Sequence, residues 1–512
     1  MTTPDAPPAP TANGQVARRR AWDVRAWFRP LVVVPLLAVI ALGAWAFASP
    51  IGSAPDDDFH LVSIWCANAA RTDLCEPGPK ADERVVPAGV LDASCYKGDP
   101  ETSAVCQQPY FDEGSQPSVV TKRGNFENNY PPVYYAVMNL LAGPDVQVSA
   151  LLMRLLNILL FVGLSTALYL LLPVTRRRVL IGMSLLTSVP LGSFLIASNN
   201  PSSWAIMGVG FSWLALLGFF ETSGGRRITL GILTGVTAVM AAGARGDAAL
   251  YVIVGLAVAV VLAFRRERRF LLGAILPVAL AIVAGVFFLS SQQSGVATSG
   301  LGDHQLAAGA PKSAFALLAL NLVQVPFLWT GVFGTWALGW LDTSMPAVVW
   351  VASLGVFAGV MFLAIGRVSR RQLLVLGGLG LLLWVLPAYV LVRGGNVVPQ
   401  NVQPRYLLPL IVVVAGVALL PTARGPLRLS RAQGLLVFGG LAIAETMAMY
   451  TDIRRYVTGT DVVAVDLDSG REWWWSGLAA TPMAVWAVGS LAFVALAAIL
   501  VREMTKNHDR LT

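Results

Sequence analysis

The sequence predicts an all-α polytopic membrane protein: a helical bundle of about twelve transmembrane helices with a large extracytoplasmic first loop. Three observations carry this. Of 512 residues, 55% are hydrophobic and only 13% charged, with a mean hydropathy of +0.64, a composition foreign to soluble domains. The apolar residues gather into runs of about 20, the length that crosses a hydrocarbon core ~30 Å thick at ~1.5 Å per residue. The charged residues fall between these runs, and their sign alternates from one connection to the next.

In chain order, residues 1–30 form a tail, rich in Pro, Thr and Ala over 1–15 and expected to be disordered. The first span covers 31–49. Its apolar stretch from Leu31 to Phe47 exceeds a signal-peptide core, so the small residues Ala46 and Ala48 at its end belong to an anchor and not to a cleavage site. Residues 50–148 make the large loop. A bundle of about eleven helices follows over 149–501, with spans near 149–172, 179–197, 203–220, 228–243, 248–264, 270–290, 345–365, 373–392, 406–420, 432–450 and 480–501. Residues 502–512 are a second tail. The stretch 314–340 keeps the alternation only if it returns to the side it left, and is read as interfacial or re-entrant. The alternative, in which 314–335 spans and a neighbour does not, stays open.

The arginine-rich connections mark the cytoplasmic side. They are Arg18, Arg19, Arg20, Arg25 and Arg29 before the first span, then Arg176 to Arg178, Arg226 with Arg227, and Arg265 to Arg269 around Glu267. Arg367, Arg370 and Arg371 follow, then Arg424, Arg428 and Arg431, and finally Arg502, Lys506 and Arg510. More than half of the 37 Lys and Arg lie here, with few of the 29 Asp and Glu, so both termini are expected in the cytoplasm. The net charge of +8 consists of these clusters, which orient spans and meet anionic headgroups, and does not point to nucleic acid. All four cysteines lie in the first loop. An even number in an exported loop predicts two disulfides, and local pairing of Cys66 with Cys75 and Cys95 with Cys106 is favoured among three connectivities. A structural zinc site lacks a C-x-x-C pair to build on.

There is no P-loop, no dinucleotide fingerprint and no cytoplasmic connection long enough to hold a nucleotide sugar. An enzyme working at the outer face then needs a donor that arrives through the bilayer, and a lipid-linked phosphate meets that need. Directly after the first span comes Asp56-Asp57-Asp58-Phe59-His60. Three carboxylates beside lipid repel one another in a lowered dielectric, which points to proton transfer or cation binding. Asp56 or Asp57 is the candidate general base, His60 its orienting partner and Asp58 a candidate substrate contact. The bland alternative is a solvated turn that caps a loop helix. If a divalent metal binds here, Asp56 and Asp57 are its ligands and oxygen donors favour Mg or Mn; no other cofactor is expected.

Further along the loop, Asn129, Tyr130 and Tyr134 belong to an amide- and aromatic-rich stretch suited to sugars, since rings cover the apolar faces and amides bond the hydroxyls. An interfacial aromatic belt uses the same tyrosines. Arg245, beside Asp247, and Arg405 with Tyr406 sit at outer membrane exits, where a planar, permanently charged fork suits a lipid phosphate. Gln403 precedes Arg405 as a further substrate contact. Arg154 and Glu445 lie inside spans, where a charge costs ~2.5–3.5 kcal/mol, and are expected to pair with each other or with headgroups. Asn199, Asn200, His304 and Asp342 are outer-surface features without a specific role, and Trp473 to Trp475 are read as interface anchors.

The run Pro55-Asp56-Asp57 through His60 resembles the proline-acidic-acidic-x-x-His signature that follows the first span in a bacterial family of predicted membrane proteins, a family similar to the GT-C glycosyltransferases. Asn129-Tyr130-Pro131-Pro132, Gly339-Trp340-Leu341-Asp342 through Pro346, and Gln403-Pro404-Arg405-Tyr406-Leu407-Leu408-Pro409 resemble its pattern as well. Asp57 departs from it, because glutamate is usual there. The resemblance implies a GT-C-like bundle in the plasma membrane, with a polyprenyl-phosphate-linked sugar as donor and the base at Asp56 or Asp57. Attack on the donor from the face opposite its phosphate is expected to invert the sugar, and an extracytoplasmic glycan or lipid-linked acceptor in cell-envelope polysaccharide synthesis is the expected recipient. A transporter or flippase of lipid-linked saccharides, or a glycan polymerase or ligase, is the competing expectation.

Overall fold

The computed structural model describes residues 24–111, 117–301, 311, 313–475, 477 and 479–506. Arg18 to Arg20, His304, Arg510 and the expected disorder of the first residues lie outside them.

The chain is an all-α polytopic membrane protein. Helix α1 (Val24–Ala48) enters the loop domain, which opens with α2 (Asp57–Trp65). A small antiparallel sheet follows, β1 (Glu76–Pro77), β2 (Arg84–Pro87) and β3 (Ser118–Thr121), in the order β1-β2-β3 with Val85 opposite Val120. Helix α3 (Val133–Asn139) closes the domain. Disulfides Cys66–Cys75 and Cys95–Cys106 form as expected.

The bundle comprises α4 (Val146–Leu171), α5 (Val174–Thr187), α6 (Pro190–Ile196), α7 (Ser202–Glu221), α8 (Gly224–Ala242), α9 (Gly246–Ala263) and α10 (Arg268–Ser290). It continues with α11 (Ala314–Thr330), α12 (Ala347–Ile365), α13 (Arg370–Arg393), α14 (Pro404–Ala418), α15 (Arg431–Val457) and α16 (Pro482–Thr505). Side-chain caps start several of them: Asp145 accepts from Val148 N, and Ser369 and Ser430 head reciprocal capping boxes with Gln372 and Gln433. Helix α7 is buried almost all round and packs tightly on α8, where a Cβ at Gly208 would meet the Thr237 carbonyl at 2.6 Å.

Among the described residues, ten helices are long and apolar enough to cross a membrane, or eleven if α5 and α6, bent by 100° at Ser188 and Val189, count as one span. Two expected spans fall short of that measure: α8 carries Arg226, Arg227 and three threonines, and α14 has only 15 residues. The 314–335 stretch does meet it, at 22 residues. It packs along α13, where Trp329 Nε1 donates to Leu383 O and Trp384 Nε1 to Leu322 O near the middle of that helix, so its length and packing favour the alternative in which 314–335 spans. Asn321 donates to Asn396 O and accepts from Val398 N, Gly331 abuts Pro404, and Trp340, five residues past the stretch, donates to Gly52 O.

Arg154 and Glu445 do not pair. Arg154 donates to the carbonyls of Ala46 (2.7 Å), Ser49 (2.6 Å) and Pro50 (2.7 Å) and to Asn199 Oδ1 (2.9 Å). It thus satisfies the free carbonyls at the end of α1 and complements that helix's dipole. Arg455 binds the loop domain to α15 through the carbonyls of Tyr96, Asp99 and Thr102 and through Asp342 Oδ2 at 3.0 Å. Trp474 and Trp475 are buried, with Trp475 Nε1 donating to Phe47 O, and so pack the core where an interface belt was expected.

Candidate active site at the end of the first helix

The Arg154 clamp fixes where α1 stops, and the chain then turns sharply into α2. Asp56 sits in the left-handed region (φ 63°, ψ 20°). Aspartate adopts that region more readily than most residues, yet at a cost, and such residues concentrate at functional sites. Its carbonyl receives the N–H groups of Phe59 and His60, both at 2.9 Å. With the backbone so fixed, the Asp56 side chain leaves α2 and remains 38% exposed, while Asp57 and His60 turn inward and are fully buried.

The arginine from the far end of the sequence meets Asp56 there. Arg405, in the first turn of α14, donates from Nη2 to Asp56 Oδ2 at 2.6 Å and from Nη1 to the Pro55 carbonyl at 2.9 Å, while its Nε has no partner. Asn200 Nδ2 also donates to the Pro55 carbonyl, at 2.7 Å. Arg123 approaches from the loop after β3, 3.5 Å from Asp56 Oδ1 and 2.7 Å from Asp58 Oδ1. The Tyr406 ring lies between two guanidiniums, 5.2 Å from Arg405 and 4.8 Å from Arg245. Arg245 is held by both oxygens of Asp247, at 2.9 and 2.8 Å, and lies 5.9 Å from the Tyr130 ring.

These surroundings push neighbouring carboxylates in opposite directions. Partial burial would raise the Asp56 pKa, but the charge and hydrogen bond of Arg405, aided by Arg123, outweigh it and hold the group at about 2. Burial pushes Asp57 up to about 7, with the Asp58 charge adding to the rise and Arg154 and the Ala54 N–H opposing it. Asp57 Oδ2 accepts from Ala54 N at 3.1 Å, and Oδ1 has no partner. Burial also lowers His60 well below the usual imidazole range, so its ring is neutral.

Several expected contacts are engaged elsewhere. His60 Nδ1 pairs with the Tyr135 hydroxyl at 2.9 Å and orients neither aspartate. Asp58 is taken by Arg123 and by Lys97 Nζ at 3.0 Å, and so is part of the scaffold. Tyr134 is buried against Trp204. Tyr130 is half-buried against Phe59 and His60, facing Arg245; Asn129 and Gln403 are half-buried. Asp56, Arg405, Tyr406, Arg245 and Tyr130 are therefore the residues brought together. Arg123 carried no motif to announce it, whereas the pair Asn199-Asn200 was visible but without an assigned partner.

Among the described residues no three His, Cys, Asp or Glu side chains converge as metal ligands. Asp56 already faces two guanidiniums and Asp57 points inward, so the pair does not fit a divalent ion.

Fold and site together define a polytopic membrane protein that gathers paired charges at one end of its bundle, where α1 gives way to the loop domain. Over residues 39–414, a range enclosing both Asp56 and Arg405, the chain matches the family model DUF2142, described as a predicted membrane protein, and it belongs to that family. No curated protein and no solved structure matches it.

Proposed function

We propose that the protein is a GT-C-type glycosyltransferase of the bacterial plasma membrane, with its site on the extracytoplasmic side and both termini in the cytoplasm. In this reading it moves a sugar from a polyprenyl-phosphate donor to an extracytoplasmic glycan or lipid-linked acceptor of the cell envelope. The observation that carries the reading is the contact of Asp56 with Arg405, a carboxylate and a buried guanidinium at the mouth of the bundle, with Arg245 across the Tyr406 ring.

Asp56 takes the proton of an acceptor hydroxyl whose oxygen attacks the anomeric carbon from the face opposite the phosphate. The bond from that carbon to the phosphate oxygen breaks, and the sugar is inverted. The leaving phosphate needs its charge met rather than a proton, which is the work of Arg405 and Arg245. Asp56 at about 2 is a weak base while Arg405 holds it. A donor phosphate that draws the guanidinium to itself restores basicity, so the base becomes active only when the donor is in place. Asp57, sealed from solvent, does not touch substrate in this scheme.

Transport of a lipid-linked saccharide is a second reading, favoured by the 100° break between α5 and α6 and by Glu445 inside the bundle. Membranes containing the protein, supplied with labelled polyprenyl-phosphate sugar and acceptor, distinguish the two. Transfer present in the wild type and lost in Asp56→Asn supports the enzyme; saccharide translocation by the wild type with no detectable transfer overturns it.

A further inference from the structure

Glu445 lies near the middle of α15, ~20 Å from either end at ~1.5 Å per residue. It is 2% exposed; Oε1 accepts from Trp45 Nε1 at 2.7 Å, and Ser193 is its other hydrogen-bonding neighbour. The carboxylate lines a cavity of about 60 Å³ whose walls are otherwise mostly apolar. The same cavity receives Ser184, Thr187, Ser188 and Ser193 from the break between α5 and α6. Pro190 offers no N–H there, so the Leu186 carbonyl cannot receive its helical bond. Interrupted helix at membrane depth is tolerated where protein buries it, and half-helix ends are a recurrent source of cation ligands.

No other titratable residue lines this cavity. Of the elements packed against this stretch of α15, α6 and α12 carry no charged residue, α1 none between Leu31 and Ala48, and α16 only Arg502 and Glu503 near its far end. Within α15 the next acid is Asp452, two turns on, whose Oδ2 accepts from Ser49 Oγ. A bare carboxylate in such surroundings is prohibitively costly, so its charge has to be neutralised from within the cavity.

We propose that Glu445 and the hydroxyls at the α5–α6 break form an exchangeable monovalent-cation site inside the bundle, occupied by a proton or by Na⁺. The inference does not depend on the transferase reading. It does reach that site structurally: α6 leads directly to Asn199 and Asn200, which hold Arg154 and the Pro55 carbonyl.

The test uses the full chain in liposomes and dicyclohexylcarbodiimide, which modifies protonated carboxyls in apolar surroundings. Peptide mass spectrometry is expected to find Glu445 modified at mildly acidic pH, with the rate falling roughly tenfold per pH unit once the group titrates. No adduct is expected at this position in Glu445→Gln. Slowing by NaCl relative to KCl at equal ionic strength assigns the site to Na⁺, and equal rates assign it to the proton. Glu445 unmodified at every pH in correctly folded protein, or modified at a rate indifferent to both pH and Na⁺, overturns the proposal.

Discussion

Asp56 and Arg405 stand 349 positions apart in sequence, and their side chains meet at 2.6 Å. Asp56 is positioned by a left-handed turn, and Arg405 by the first turn of α14 and the Pro55 carbonyl. In the transferase reading the two have separable roles. Asp56→Asn is expected to lower kcat by about 10²–10⁴ with little change in donor KM, the usual scale for a lost general base. Arg405→Lys keeps the charge but loses the fork, so the donor KM should rise together with a fall in kcat. Full transfer activity in Asp56→Asn membranes would remove Asp56 from the chemistry.

Asp57 makes a prediction about stability. Its folded pKa of about 7 lies above the unfolded value of ~3.9, so between these values the native state keeps a proton that the unfolded chain releases. Its contribution is complete below ~4, declines as pH rises and is gone above ~7, amounting to on the order of 4 kcal/mol at most from ~1.36 kcal/mol per unit. Asp56, shifted downward to about 2, acts in the opposite sense and only below ~4. Thermal unfolding of the wild type should therefore lose stability between mildly acidic and mildly alkaline pH by more than Asp57→Asn does. Parallel curves for the two proteins would show that Asp57 does not titrate in this window.

Much of this was legible before any coordinates. Composition and apolar runs set the fold class, because lipid leaves the backbone few alternatives to helices, and local cysteine spacing gave both disulfides. The acidic turn and Gln403-Pro404-Arg405-Tyr406 stood out as phrases, yet nothing local says that they touch. That pairing is a property of helix packing, as is the choice between Asp56 and Asp57, which depends on a single positive φ. Lys97 and Arg123 were illegible for the same reason: they claim Asp58 from outside any motif. Arg154 and Glu445 were expected to pair with each other or with headgroups because both are costly in lipid, but each instead meets hydrogen-bond partners inside the protein.

Arg245 is held as a fork by Asp247 and is only 4% exposed. Asp247→Asn should loosen it without touching Asp56, raising the donor KM severalfold and lowering kcat more modestly as the leaving phosphate loses part of its counter-charge. The split is measurable in the same membrane assay. Unchanged KM and unchanged kcat would place Arg245 with the scaffold instead of the donor phosphate.

The two disulfides close loops with sequence separations of 9 and 11 residues. Loop-closure entropy for such lengths gives about 2.5–3 kcal/mol each. Replacing either pair by serine should lower the melting temperature of the loop domain. The Cys95–Cys106 pair should matter more to its docking, because the segment it closes presents the Tyr96, Asp99 and Thr102 carbonyls to Arg455. Limited proteolysis around residues 96–106 reads this directly, and equal resistance with and without the bridge would contradict it.

Arg154 offers the sharpest test of how the site is supported. It touches no candidate substrate residue, yet four of its hydrogen bonds tie the end of α1 to Asn199, and Asn200 next to it holds the Pro55 carbonyl that Arg405 also binds. A bond to a charged donor contributes about 1.5–3 kcal/mol, and buried acceptors left without one add their own penalty. Lysine has three donors radiating from one nitrogen and cannot reproduce the planar fork that serves Ala46, Ser49 and Pro50 together. Arg154→Lys should therefore destabilise the protein by roughly 3 kcal/mol or more. In the fraction that folds, the turn carrying Asp56 should be released from its register with Arg405, so that transfer falls although both of those residues are intact. Asn199→Ala, which removes one of the four acceptors and the donor to the Ala150 carbonyl, should cost about 1.5–3 kcal/mol and leave transfer close to normal. Wild-type melting and transfer in Arg154→Lys would mean that the end of α1 is positioned by packing alone, and that the polar clamp contributes nothing to where Asp56 stands.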